Sequence, residues 1–319
     1  MKKFLISIDT EGDNLWAWRQ GQPITTENAK YLQRFQSLCD EYGFQPTYLT
    51  NYEMASSPAF VSFAKKAIKE NRCSVGAHLH AWNNPPDFAL SNLLKNPAAP
   101  YLIEYPEEVM EQKLAYLTAF LSDVFEMHVL SHRAGRWAMN DTYFGLLEKY
   151  GYTVDCSVTP LMDWSGNVGA TVGSQGSDYS AYPQTSYLVK NTQKLWEVPV
   201  TVLKTKRFFT GDAQSLLQKA KQVYRGLRGR TVWLRPTGNN LHQMLWMVDK
   251  VAGDPSLDYV MFMLHSSEFM PGGSPTFQTQ EQIERLYRHL QIVFARASKK
   301  FEGATIESYA TAKKGKNQK

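Results

Sequence analysis

Along most of the chain, short apolar runs alternate with longer segments of helical spacing. Apolar runs at 4–8, 46–50, 73–77, 129–131, 153–158, 195–202 and 259–264 predict strands, with 304–306 as a closing one. Between them, 26–42, 59–71, 106–125, 213–227, 241–251 and 280–299 carry apolar positions three and four residues apart and predict helices. Gly43 stops the first of these, and acidic residues open the 106–125 segment, where they complement the helix dipole. Strands alternating with helices predict a parallel sheet with helices outside it. Seven or eight such units predict a distorted (β/α)7-8 barrel. The stretch 163–192, rich in Gly, Ser and Tyr and without clear periodicity, predicts a long functional loop or a lid. A single domain over residues 1–310 is expected, followed by a basic, disordered tail at 311–319.

The polar residues concentrate where those strands end, which is where a parallel barrel keeps its reactive groups. The first strand runs into Asp9-Thr10-Glu11, and the third into His78-Leu79-His80. The fourth ends in Ser131-His132-Arg133-Ala134-Gly135, the fifth carries Asp155 and Ser157, and the 259–264 strand ends in His265-Ser266-Ser267-Glu268. Residues i and i+2 of a strand share one side, so Asp9 can face a site together with Glu11, and His78 together with His80. Two imidazoles and a carboxylate are a common ligand set for a catalytic zinc, with a fourth position left for water. Taken singly, each of these groups also suits an ordinary structural role, such as a cap or, for Arg133, an ion pair. Their joint fall at strand ends is the signal.

Composition narrows the class. With 43% hydrophobic and 20% charged residues in 319, the chain can bury one large core and is not a disordered segment. Its eight Trp and 17 Tyr fill a core or line a sugar cleft. The net charge of +5 falls partly in the tail, and no basic helix or interleaved basic–aromatic stripe argues for a nucleic-acid partner. Three cysteines are too few for a disulfide framework and suit a reducing compartment. The start, Met-Lys-Lys-Phe-Leu-Ile-Ser-Ile-Asp, imitates a signal peptide, but its apolar run stops at Asp9, short of an h-region. No stretch reaches membrane-spanning length, and a cytoplasmic location is expected.

In order, these motifs resemble those of the polysaccharide deacetylases, the NodB-homology or carbohydrate esterase 4 group, from Asp9 to His265. The resemblance implies a NodB-type barrel, Zn2+ or another divalent transition metal, and removal of an acyl group from an amino sugar. Ser7-Ile8-Asp9-Thr10-Glu11-Gly12 is similar to the first family motif, which makes Asp9 the general base and Glu11 a metal ligand. The second motif is usually His-x-x-x-His, but here Trp82 stands where its second His would be, and His80 is the substitute ligand beside His78. Arg133 matches the arginine that orients the base. Asp155-Cys156-Ser157 resembles the Asp-x-Ser motif, and Leu264-His265 the strand end that supplies the general acid. Asp155 is the expected partner of His265. Trp82, Trp137 and His132 are expected to contact substrate, with His132 also a reserve metal ligand.

The segment 265–273 resembles the subgroup tied to bacterial surface-polysaccharide biosynthesis. It implies an amino-sugar substrate, as a sugar nucleotide or a lipid-linked sugar, in an O-antigen-like route. Two other readings stay open: a metal-free hydrolase of a cyclic amide such as allantoin, and a catalytically inactive carbohydrate-binding protein. The oligomeric state is not legible.

Overall fold

The computed structural model describes residues 1–19, 21–95, 98–212 and 215–317. Its strands and helices follow in chain order as β1 (Lys2–Thr10), α1 (Leu32–Glu41), β2 (Pro46–Thr50), α2 (Tyr52–Ala55), α3 (Pro58–Lys69), β3 (Ser74–Leu79), α4 (Glu107–Phe125), β4 (Ser131–Ala134), α5 (Asp141–Lys149) and β5 (Val154–Asp155). Then come β6 (Tyr187–Leu188), β7 (Trp196–Glu197), β8 (Val202–Thr205), α6 (Leu216–Arg228), β9 (Arg230–Trp233), α7 (Leu241–Gly253), β10 (Tyr259–His265), α8 (Gln280–Ala297), β11 (Phe301–Ala304) and α9 (Ile306–Asn317).

The main sheet runs in the order β10-β1-β2-β3-β4-β5-β7-β6, parallel except for the β6–β7 pair. It curls with helices outside, as a NodB-type (β/α) barrel does. β1 is the hub: β10 lies along one edge, while β11 pairs with its first half and β2 with its second. Such a strand is covered on both faces, which explains why Phe4 to Thr10 is buried throughout. Register sets the functional level. Asp9 lies opposite His265 and Leu49, His78 opposite Arg133, and His132 opposite Asp155. Strand ends far apart in sequence therefore meet at one rim.

The C-terminus departs from expectation. Phe301–Ala304 is the closing strand, and residues 311–317 of the stretch expected as a disordered tail continue the helix that starts at Ile306, while 318 and 319 lie outside the described residues. Ile306, Tyr309 and Ala310, at helical spacing, are buried, and Lys313 pairs with Asp258 at 2.6 Å. Lysines at 313 and 314 hid this apolar pattern. Glu307 accepts from Ser74 Oγ at 2.7 Å and from the Ser131 hydroxyl, so α9 seals the end of the barrel remote from the site.

Other differences are local. The 26–42 helix begins as a 3-10 turn over Glu27–Tyr31, and the start of the expected 213–227 helix, Ala213 and Gln214, lies outside the described residues. α5 and β9 were not legible: α5 is short and interrupted by Gly145, and β9 belongs to a separate two-stranded antiparallel sheet with β8. Apart from β6, the 163–192 stretch is irregular but pinned. Glu104 accepts from the backbone N–H of Ala170 and Thr171, and Ser177 is bonded to the backbone of Met139. Cys39, Cys73 and Cys156 are free and buried.

Because Glu307 serves two strand starts, Glu307→Ala strands their hydroxyls. The variant should unfold with about 1–3 kcal/mol less stability in urea. Wild-type stability in that variant would show that α9 does not seal the barrel in this way.

Candidate functional site

The rim brings Asp9, Glu11, His78, His80, Arg133 and His265 together. Glu11 lies at the centre: its Oε2 is 3.4 Å from His78 Nε2 and 3.2 Å from His80 Nε2, while its Oε1 is 4.0 Å from His265 Nε2. The two histidines of β3 thus take one carboxylate oxygen and the histidine of β10 faces the other. Asp9 faces His265 as well, with Oδ2 3.7 Å from Nε2.

Arg133 holds the other oxygen of Asp9. Its NH1 donates to Asp9 Oδ1 at 2.5 Å, NH2 to Ser7 Oγ at 2.9 Å, and Nε to the carbonyl of Cys156 at 3.0 Å. Burial pushes the Asp9 carboxyl up, but Arg133, His78 and His265 outweigh that and hold it below the ordinary range. For Glu11, burial is likewise outweighed by His265, His78 and His80, and the carboxyl is ionised. His78 is raised: burial opposes its charge, and Asp9 and Glu11 overcome that. His80 is lowered by burial and by His78 beside it.

The donor set fits a divalent metal. His78 Nδ1 donates to the carbonyl of Arg133 at 2.9 Å, which leaves a lone pair on Nε2. That Nε2 lies 2.9 Å from His80 Nε2, and both rings meet Glu11 Oε2. His80 Nδ1 is buried without a hydrogen-bond partner. With both rings neutral, three acceptor-capable atoms, all buried and all within 4.8 Å of one another, surround one point with at most one hydrogen to share. A cation resolves that arrangement. Trp82, in the position of the missing second His, stacks on the His80 ring at 4.3 Å. Gly135 permits the close approach of β4, since a Cβ there would lie 2.3 Å from His80 Cδ2.

Two expectations require correction. His132 does not reach metal or substrate: it is fully buried, with Nδ1 bonded to Asp155 at 2.7 Å and Nε2 to the Tyr143 hydroxyl at 2.8 Å. Adjacent strand residues point to opposite sides, so with Arg133 facing inward His132 faces the helices. Asp155 is consequently the partner of His132, not of His265. It also accepts from Ser157 N and Oγ, each at 2.9 Å, and burial together with Asp155 pushes the neighbouring Glu197 carboxyl well up.

The carboxylate serving His265 is Glu268, whose Oε2 lies 3.0 Å from Nδ1 and also accepts from Arg235 NH2 at 3.1 Å. Burial raises the Glu268 carboxyl, but Arg235 and His265 outweigh it. Glu268 stood in the strand-end motif, three residues after His265, and that spacing was the usable signal. Arg235 follows β9 and carried none. Trp16, also missed, lies edge-on to His265 at 4.8 Å.

Aromatic walls flank these groups. Trp137 sits over the Arg133 guanidinium at 4.9 Å. Beside Trp82, a cavity of about 960 Å³ is lined by Trp16, Trp18, Phe88 and Tyr105 among others. Lys113 shapes its wall by donating to the carbonyls of Asn84 and Pro86, each at 2.6 Å, and burial pushes its amine down to about 8.

Known structures share this fold. A protein described as a polysaccharide deacetylase from Mycobacterium smegmatis is 13% identical with a TM-score of 0.56, over 99% of this chain and 92% of its own. Another so described, from Pseudomonas aeruginosa PAO1, is 12% identical with a TM-score of 0.53, over 97% and 89%. An allantoinase is 12% identical with a TM-score of 0.52, over 97% and 88%. No family model matches the chain, and no curated protein matches it by sequence. Among the described residues no helix is long and apolar enough to cross a membrane.

The donor set predicts one divalent metal per chain on Glu11, His78 and His80. Elemental analysis of the purified protein should find it, and His78→Ala or His80→Ala should lose it. A metal retained by the His78→Ala/His80→Ala double variant would overturn the assignment.

Proposed function

We propose that this chain is a metal-dependent hydrolase that removes an N-acyl group, such as acetyl, from an amino sugar. The observation that carries the reading is the position of Glu11, with His78 and His80 on one oxygen and the Asp9–His265 pair on the other side. A metal-ligating trio and an acid–base pair are thus set around one small volume.

A divalent metal held by Glu11, His78 and His80 would supply Lewis acidity toward the acyl carbonyl and make water acidic enough to react near neutral pH. Asp9 Oδ2 takes the proton of the attacking water, because Arg133 occupies Oδ1 and keeps the carboxyl ionised. His265, oriented through Nδ1 by Glu268, donates a proton from Nε2 to the departing amine nitrogen as the C–N bond breaks. Asp155 supports this chemistry indirectly by fixing His132 and Ser157, whose Oγ accepts from the N–H of Ala134 at 2.8 Å. Trp82, Trp137 and Trp16 offer flat faces to the apolar side of a sugar ring. The substrate we favour is a sugar nucleotide or lipid-linked amino sugar of surface-polysaccharide (O-antigen-like) synthesis, met in the cytoplasm. It rests on the motif resemblance at 265–273.

A second reading, metal-free hydrolysis of a cyclic amide, draws support from the likeness to the allantoinase and from Trp82 in the place of a histidine. Activity on allantoin by metal-stripped protein would favour it over the first.

Asp9→Asn should keep its metal and lose about 10²–10⁴-fold in turnover of an N-acetyl amino sugar. Loss of the metal with Glu11 intact would reverse the roles of Asp9 and Glu11. His265→Ala separates an acid from a structural residue. Its kcat should fall far more on the N-acetyl sugar, whose amine must be protonated to leave, than on an aryl acetate. Equal losses on both substrates would eliminate the acid role.

A further inference from the structure

Helix α6 (Leu216–Arg228) is attached to the protein by its least apolar side. Gly226 is the residue it buries, and a Cβ there would lie 2.2 Å from the Phe208 ring. Gln222, on the same side, accepts from Arg230 NH1 at 2.7 Å. The apolar residues 216, 217, 220, 223, 224 and 227 form one continuous stripe at helical spacing, and that stripe points to solvent. Leu216 is 83% exposed, Leu217 66% and Leu227 67%. Phe208, in the connection from β8, adds a half-exposed ring. A soluble helix normally packs such a stripe inward.

Charge borders the stripe. Lys219 lies along one side, while Lys221, Arg225 and Arg228 lie along the other, and all four are exposed. Lys206 and Arg207 extend the positive surface toward β8. Between positions 204 and 230 the sequence has a single acid, Asp212, which is buried and accepts from the backbone N–H of His242 at 2.8 Å. We infer that α6 is an interfacial docking helix that lays its leucines into the headgroup–acyl boundary of an anionic membrane, with its lysines and arginines against the phosphates.

The same observations disfavour other occupants. A two-fold dimer through this face would set the basic surface against itself. A nucleic acid would meet the cations but leave the leucines in water. The surface is also placed to matter. β9, which follows α6, ends at Trp233, which packs edge-on to Trp137 at 5.7 Å, and Arg235 beyond it reaches Glu268. Seating α6 on a bilayer would therefore tie the strand that carries Trp233, and Arg235 beyond it, to the membrane surface. Docking is independent of the chemistry assigned to Asp9 and His265, so failure of one leaves the other standing.

Sedimentation of the full chain with vesicles tests it. The protein should bind vesicles of phosphatidylcholine with phosphatidylglycerol, and bind pure phosphatidylcholine about tenfold or more weakly. Lys219→Glu/Lys221→Glu should weaken anionic binding by about tenfold or more. Leu217→Glu/Leu227→Glu should abolish it while melting temperature and aryl acetate hydrolysis match wild type. The proposal is overturned if wild type ignores anionic vesicles, or if both variants bind as wild type does. It is also overturned if the leucine variant instead converts a dimer to a monomer in ultracentrifugation with no vesicle binding by wild type.

Discussion

The fully buried guanidinium of Arg133 is the interaction on which the rest of the site depends. It leaves β4 and reaches Asp9 and Ser7 on β1, the Cys156 carbonyl just after β5, and the sulfur of Met261 on β10. In the sheet, β4 and β1 are separated by β2 and β3, so these bonds cross the interior of the curl and fasten its opposite walls. A charge this deep is tolerable because each of its nitrogens has an acceptor and Asp9 neutralises it. Removing one member of such a pair typically costs about 3–5 kcal/mol, since the other is left buried and unpaired. The same bond leaves one oxygen of Asp9 free to face His265. Barrel closure and the orientation of the Asp9 carboxylate are therefore one interaction.

Around that pair the electrostatics are unusual for a protein interior. Asp9 and Glu11 are two residues apart, point the same way, and are both held below the ordinary carboxylate range despite burial. Two buried carboxylates with one permanently charged partner leave negative charge to be neutralised. His78 is raised by that excess, while His80 is lowered, so the two rings do not share the burden equally. A divalent cation on Glu11, His78 and His80 would remove the need for either ring to carry a second, charging proton. That links metal occupancy to the protonation of the site.

The period-two logic of strands made much of this legible in the sequence. Asp9 with Glu11 and His78 with His80 follow from parity alone, and the strand ends were recognisable because buried parallel strands are apolar until they reach the rim. Parity also separates His132 from Arg133, which cannot both face the cleft, but choosing between them needs the register with Asp9. Glu268, Arg235 and Trp16 come from the connections after β10, β9 and β1, whose paths depend on packing rather than on local pattern. The membrane-like face of α6 was hidden for a related reason. Amphipathicity is visible in the sequence, but which side of the helix meets the barrel is not, and here it is the Gly226 side. In α9 the lysines of the last turns masked an apolar spacing that tertiary contacts exploit.

The turn after β4 shows how the long irregular loop enters the design. Arg136 and Trp137 both adopt left-handed backbone, at φ 56° and 62°, conformations that cost bulky residues about 1–3 kcal/mol each. Outside contacts offset that cost. The Tyr179 hydroxyl donates to the carbonyl of Trp137, and Arg136 donates to the carbonyls of Ala99 and Val168 while stacking at 4.0 Å on Tyr101. Tyr179 and Val168 belong to the 163–192 stretch, and Glu104 pins that stretch through Ala170 and Thr171. The strained turn is what lays the Trp137 ring over Arg133. The loop thus reaches the Asp9 carboxylate through a chain of three contacts: Tyr179 on Trp137, Trp137 on Arg133, and Arg133 on Asp9.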